Sequence, residues 1–143
     1  MSRPFRFRRI CNPPLMKGFK PFGLPACKKE RVVIKMEEYE SVKLIDYDSL
    51  SHDQAAEQMN VSRPTFTRIY NSALKSIARA FVEGRSIEIE GGCYEFDSDW
   101  YRCRKCYRLI NGLENHSKCK NCCNYGDVEL IRLNQSSAKE NKE

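Results

Sequence analysis

Residues 50–71, LSHDQAAEQMNVSRPTFTRIYN, constrain the chain more than any other stretch, because nearly every position has one conformation that suits it. Ser51 is a good helix N-cap and Gln54 stands three residues on, the spacing of a capping box. Ala55, Ala56 and Met59 form the apolar face of a short first helix, with Ala56 small where a second helix has to cross closely. Asn60 falls at the turn, where a left-handed backbone is needed and Gly or Asn tolerates it best. Val61 fills the inside of the corner, Ser62 caps the next helix, and Pro64 stands in that helix's first turn, where a missing N–H costs little. Helix, tight turn, helix is the order of the helix-turn-helix, which sets its second helix in the major groove of DNA.

The second helix is predicted over residues 63–82. Phe66, Ile69, Tyr70, Ala73, Leu74, Ile77, Ala78, Phe81 and Val82 recur at helical spacing without a miss, so this stripe is expected to be core. Arg63, Thr65, Thr67, Arg68, Asn71 and Lys75 take the outward face. Arg pairs bidentately with guanine, Asn with adenine, and Thr touches a thymine methyl or a phosphate. Arg63, Thr67, Arg68 and Asn71 are therefore candidates for base edges, with Ser62, Thr65 and Lys75 on phosphate. For any one of them an ordinary solvated helix face is the competing reading. It is weaker for the group, because the turn upstream decides which side protrudes.

Charge is unevenly spread along the chain. The 143 residues sum to +6, enough chain for one modest core plus an accessory module. Residues 1–35 carry ten Lys/Arg against the single acid Glu30, residues 36–61 carry Lys43 alone against seven acids, and residues 62–92 carry five bases against three acids. A basic start, an acidic middle and a basic recognition segment predict a molecule with one side for phosphate. No apolar run is long enough to span a membrane and the N-terminus lacks a signal-peptide core, so a cytoplasmic protein with reduced cysteines is expected.

Residues 1–30 read as an extended basic arm, since five of the six prolines fall there and Phe5, Phe7, Phe19 and Phe22 interleave with the bases. Arg6, Arg8 and Arg9 are its candidates for DNA contact, along phosphates or in a minor groove. The alternative is a solvated tail that its aromatics tack onto the domain. Residues 31–36 read as a short strand, followed by an uncapped helix over residues 37–47. Glu37, Glu38 and Glu40 there read as helix N-terminus chemistry and not as catalytic carboxylates. Residues 86–90 alternate as a half-buried strand, and pairing with residues 32–34 would tie the two ends of the domain together.

The strings RPFRFRRICNPP…FKPFGLP, EEYESVKLIDYDSLSHDQAAEQMNVSRPTFTRIYNSA and FVEGRSIEIEGG resemble an uncharacterised family of small prokaryotic proteins, uncharacterised protein family 0251 or domain of unknown function 134. The resemblance covers about residues 1–95 and is most specific at NVSRPTFTRIYNSA. It implies a DNA-binding protein whose helix-turn-helix is similar to region 4 of bacterial sigma factors, with the motif at residues 51–71 and a Glu-Gly-Gly end at residues 90–92. It implies no target, effector or reaction. Asn60 stands where many related turns have Gly.

The cysteine-rich end is read from its chemistry. Cys103-x-x-Cys106 and Cys119-x-x-Cys122 are separated by twelve residues, the spacing of two knuckles at the tips of short hairpins. A structural Zn²⁺ held by Cys103, Cys106, Cys119 and Cys122 in a small β zinc-ribbon-like module is expected, worth about 10 kcal/mol of folding free energy. Cys123 or His116 can substitute for a ligand, although the x-x spacing favours Cys122 and His116 reads as a polar turn residue. Arg102, Arg104, Lys105, Lys118 and Lys120 either offset the thiolate charge or touch phosphate. His52 reads as a solvated helix residue. Cys11, Cys27 and Cys93 are spare thiols or small buried hydrophobes, or together a second metal or redox site.

These readings sum to a mainly α fold: an extended basic arm (1–30), a sigma region-4-like helix-turn-helix domain (31–92), a four-cysteine zinc module (93–133) and a disordered tail (134–143). The expected function is sequence-specific double-stranded DNA binding in a transcriptional regulator. Two alternatives stay open: a zinc adaptor that binds RNA or RNA polymerase, and an iron- or redox-sensing regulator that uses the cysteines. An enzyme is not expected, because four thiolates close a metal's coordination shell and no nucleophile-elbow, Walker or zincin motif is present. A lone helix-turn-helix reads few base pairs, so a homodimer on symmetric half-sites is a further expectation.

Overall fold

Capping and periodicity place the helices close to where the sequence puts them. The computed structural model describes residues 7–25, 29–103, 108–112 and 130–134. Helix α1 spans Met36–Val42 with no side-chain cap and runs into a π-helical stretch, Lys43–Tyr47. Helix α2 spans His52–Gln58 and helix α3 spans Arg63–Glu83. Among the described residues eight short strands accompany them: β1 (Arg8–Ile10), β2 (Gly18–Phe19), β3 (Val32–Ile34), β4 (Ile87–Ile89), β5 (Tyr94–Phe96), β6 (Trp100–Cys103), β7 (Leu109–Asn111) and β8 (Leu130–Arg132).

A mainly α fold is therefore not what the chain adopts; it is a mixed α/β fold with three small sheets. In the first sheet β1 pairs parallel with β5, with Ile10 opposite Phe96. In the second, β4 lies between β2 (antiparallel) and β3 (parallel), with Val32 opposite Ile87. That parallel pair is the expected tie between the two ends of the helical unit. In the third, β6 lies between β7 and β8, both antiparallel to it. The expected extended arm is corrected with the fold class: residues 8–10 and 18–19 are strands, Pro13 and Pro14 are buried, and Ile10 is fully enclosed. Strands of two or three residues carry too little alternation to be told from a Pro- and Arg-rich coil.

The core lies between the helices. Leu44, Ala55, Ala56, Met59 and Phe66 form one buried cluster, with Ile45, Leu50, Val61 and Tyr70 against its edge. The expected stripe on α3 is corrected in its second half: Phe66, Ala73 and Ala80 are buried, whereas Leu74, Ala78, Phe81 and Val82 are exposed. Length explains this. α1 and α2 have 7 residues each against 21 in α3, so helices of about 10 Å cannot cover one of about 31 Å.

The acids of α1 are buried clamps. Glu37 Oε2 accepts from the Cys93 N–H at 2.8 Å, and Glu38 Oε1 accepts from the Ser72 hydroxyl at 3.1 Å. Glycine at 92 follows from the first of these, since a Cβ there would stand 2.5 Å from Glu37 Oε2 on a left-handed backbone of φ +98°. Glu40 is fully buried; its Oε1 accepts a long bond from the Cys11 N–H at 3.5 Å and its Oε2 has no hydrogen-bond partner. Burial pushes the Glu40 carboxyl above the usual range, with Lys43 pulling the other way. The unfolded chain then ionises at lower pH than the fold, so this group's contribution to stability falls as pH rises from about 4.3 to the raised folded value and is flat above it. Glu40→Gln keeps the Oε1 acceptor. It is expected to raise the thermal midpoint at neutral pH and leave it unchanged near about pH 4. Circular-dichroism melts at the two pH values check this, and a lower midpoint at neutral pH would show the carboxylate to be stabilising.

Candidate nucleic-acid interface

The helix–turn–helix corner is built bond by bond from the residues that predict it. Ser51 Oγ accepts from the Gln54 N–H at 3.2 Å and Gln54 Oε1 accepts from the Ser51 N–H at 3.1 Å, completing the capping box. Asn60 takes the left-handed backbone the turn needs, at φ 56°. The Val61 N–H then reaches back to the Ala56 carbonyl at 3.0 Å. Ser62 Oγ accepts from the Thr65 N–H at 3.4 Å and donates to Thr65 Oγ1 at 2.8 Å. Gly84 closes α3 on a left-handed residue.

An aromatic stack locks α2 onto α3. Phe66 and Tyr70 stack at 6.2 Å and 8°, and the His52 ring stands edge-on to both, at 5.5 and 5.4 Å. His52 Nδ1 also lies 3.3 Å from Thr67 Oγ1. The expectation of a solvated His52 is thereby corrected: it is a part-buried wedge, placed there because the first turn of α2 abuts the first turns of α3. The Tyr70 hydroxyl donates to Asp46 Oδ2 at 2.9 Å, joining α3 to the π-helical stretch.

The candidate reading residues divide by what already holds them. Arg68, Asn71 and Lys75 are exposed and, with Ser72, Ser76 and Arg79, line a shallow concavity along α3. Arg79 was missed by sequence reasoning, although its spacing from Arg68 and Lys75 puts it on the same side of the helix. Its Nε lies 3.2 Å from Glu83 Oε2 in an exposed pair that solvent screens. Arg63 is exposed and 3.5 Å from Asp53 Oδ1. Ser62 and Thr65 serve the cap, and Thr67 is part-buried against His52, so these three support the corner.

Arg8 and Arg9 stand on β1 and not on a free arm. The Arg9 N–H donates to the Met59 carbonyl at 3.0 Å, its guanidinium pairs with Asp97 at 3.0 Å, and the Arg8 N–H donates to the Cys93 carbonyl at 3.1 Å. β1 thus braces the turn of the helix pair. Arg6 lies outside the described residues.

Of the expected zinc ligands, Cys103 is described: it is buried at the end of β6, and its N–H donates to the Arg108 carbonyl at 3.1 Å. Cys106, Cys119 and Cys122, with the alternatives Cys123 and His116, lie outside the described residues. β8 begins with Leu130 opposite Cys103. The Arg102 guanidinium donates to the Pro14 and Leu15 carbonyls at 2.7 and 2.9 Å. Asn134, assigned to the tail, accepts from the Trp100 N–H and donates to the Ser98 carbonyl. Cys27 also lies outside the described residues, and among those described no group of three or more His, Cys, Asp or Glu is arranged for a metal. Burial and then Glu40 push the Cys11 thiol up, which disfavours the thiolate a metal needs. No helix among the described residues is long and apolar enough to cross a membrane.

These elements define a small α/β protein built round a helix–turn–helix corner, with a three-stranded sheet appended. The chain belongs to the family described as protein of unknown function DUF134, which it matches over residues 1–97. It is 37% identical over 145 residues to a UPF0251 protein of Chloroherpeton thalassium, covering 100% of this chain and 95% of the relative. It is 40% identical over 124 residues to a UPF0251 protein of Clostridium botulinum, covering 85% of this chain and 79% of the relative. A Clostridium tetani UPF0251 protein is 39% identical over 124 residues, covering 85% and 84%. No solved structure matches the chain.

Proposed function

We propose that the chain binds double-stranded DNA sequence-specifically as a transcriptional regulator, with the N-terminal half of α3 in the major groove. The observation that carries this reading is the exposed row Arg68, Asn71, Lys75 and Arg79, held outward by a corner whose cap, turn and stack leave α3 no other orientation. Arg68 and Asn71 are the base-reading pair and Arg63 a flanking contact. Lys75 and Arg79 meet phosphate, and the cap at Ser62 and Thr65 presents the helix start. A structural zinc is part of this reading, supported by the Cys103-x-x-Cys106 and Cys119-x-x-Cys122 spacing. Cys103, Cys106, Cys119 and Cys122 would hold it and supply rigidity, not reactivity. We read the protein as a binding module without catalysis.

Binding to duplex DNA should weaken steeply with salt as Lys and Arg release counterions. Arg68→Ala should cost about 1–3 kcal/mol on the preferred duplex and far less on random duplex. Competition gel shifts on the two duplexes at fixed salt measure both. Equal losses on both would make Arg68 a phosphate contact and end its role in base reading.

A further inference from the structure

The helical unit and the third sheet meet across a cleft of about 760 Å³, on residues other than those of the exposed α3 row. Among the described residues, α1 and the π-helical stretch give its wall Tyr39, Val42 and Tyr47. The loop after β1 gives Leu15, and the sheet gives Trp100 and Leu109. Clefts of about 300–1,000 Å³ with mostly apolar walls and a few polar groups, at the junction of two units, are where small molecules bind. One wall is the π-helical stretch Lys43–Tyr47 itself, and π-helical backbone is rare and gathers at functional sites. Apolar side chains also stay open to solvent at the rim: Tyr47 is 83% exposed and Leu15 76%. Folding gains little from either, whereas a bound molecule covering them would gain from both.

We propose that this cleft binds a neutral, planar heteroaromatic small molecule that carries a hydrogen-bond acceptor. The rings of Tyr39, Tyr47 and Trp100 line it, and rings take a flat partner by offset stacking or edge contact. The charges present do not call for an ion. Lys43 and Asp46 stand on the wall with opposite sign, and each is already engaged. Lys43 Nζ lies 3.2 Å from Asp48 Oδ2, and Asp46 Oδ2 accepts from the Tyr70 hydroxyl at 2.9 Å. A charged ligand would give up hydration on entry and meet no unbalanced charge in return. Ionisation fixes the donors. Burial and then Glu40 push the Tyr39 phenol up, so at neutral pH it keeps its O–H. Burial lowers Lys43, but Glu40 and Asp48 outweigh it and hold the ammonium above its usual range, with N–H bonds beyond the one given to Asp48. A carbonyl or ring nitrogen is the group that suits such donors, and the Asn12 amide on the same wall serves either polarity. The site stands apart from the α3 row and does not rest on DNA binding.

Quinoline, flat and neutral at neutral pH with a ring nitrogen as acceptor, is the probe. Trp100 is the chain's one tryptophan, so its indole N–H gives a single nuclear-magnetic-resonance cross-peak from the cleft wall. Titrating quinoline into the full chain should move that peak along a saturating curve, with a Kd of about 1 mM or tighter. Cyclohexanol, which is not flat, and benzoate, which is charged, should each bind at least about tenfold more weakly. Tyr47→Ala, at an exposed position, should weaken quinoline about fivefold with unchanged far-ultraviolet circular dichroism. Should that variant disturb the fold, Leu15→Arg at the other exposed rim position gives the same test. A peak that does not saturate up to about 10 mM quinoline, or a folded Tyr47→Ala that binds as the parent does, overturns the site. Tighter binding of benzoate than of quinoline overturns the neutral class and makes the cleft an anion site.

Discussion

Stripping the metal from the purified protein is expected to unfold the β6–β8 sheet and leave the helical unit standing. Among the described residues the sheet buries Cys103 and Ile110, with Tyr101 and Leu130 packed beside them. A structural zinc contributes about 10–16 kcal/mol of apparent binding free energy at neutral pH, far more than two buried side chains of this size supply. Trp100 is the chain's one tryptophan and opens β6, so its fluorescence reports on this sheet. We expect one zinc per chain by elemental analysis, and a red-shifted, quenched Trp100 signal on chelation with little loss of helical circular dichroism. Cys122→Ser should reproduce the loss while Cys123→Ser retains metal, which assigns the fourth ligand. Metal-free protein with unchanged Trp100 emission would end the zinc proposal, and stoichiometric iron with visible colour would replace zinc by an iron–thiolate centre.

Phe66→Ala should be the most damaging single change in the helical unit, at about 3–5 kcal/mol. The ring is wholly enclosed by Leu44, Ala55, Ala56 and Met59 and stacked on Tyr70. Removing it empties the centre of the corner, and the capped, short α2 has little freedom to collapse into the space. Total stabilities of small domains are about 5–15 kcal/mol, so this one cavity would consume a large share. Denaturant melts of the two proteins, compared at equal slope, measure it. A loss below about 1 kcal/mol would show that the corner repacks freely and that α3 is not held by this cluster.

The helical elements were legible because their signals are local. Ser51 with Gln54, Asn60, Ser62 and Gly84 each do in the fold what their type and place predict, and the β3–β4 pairing followed from two short apolar runs. What stayed hidden depends on contacts far apart in sequence. β1 exists because residues 94–96 pair with it, and the Pro14 and Leu15 carbonyls are gripped by Arg102 from the third sheet. Glu37, Glu38 and Glu40 carry ordinary helix-start composition, and nothing local says that three acids will be buried as clamps for Cys93, Ser72 and Cys11. Periodicity likewise predicts an apolar stripe without saying what covers it, which is why Phe81 and Val82 read as core. The outward face of α3 was visible as a set, but Thr67 turned inward because His52 took the wedge position. Arg79 joined the face because α3 stays exposed to its end.

Selection of bound duplexes from a random DNA pool, at stated salt and with the metal-loaded full chain, tests the central claim most directly. An enriched sequence motif is expected, whose enrichment falls when Arg68 or Asn71 is replaced by Ala. A pool that stays unenriched through successive rounds, or one enriched equally by Arg68→Ala, would contradict the reading of α3 as a recognition helix.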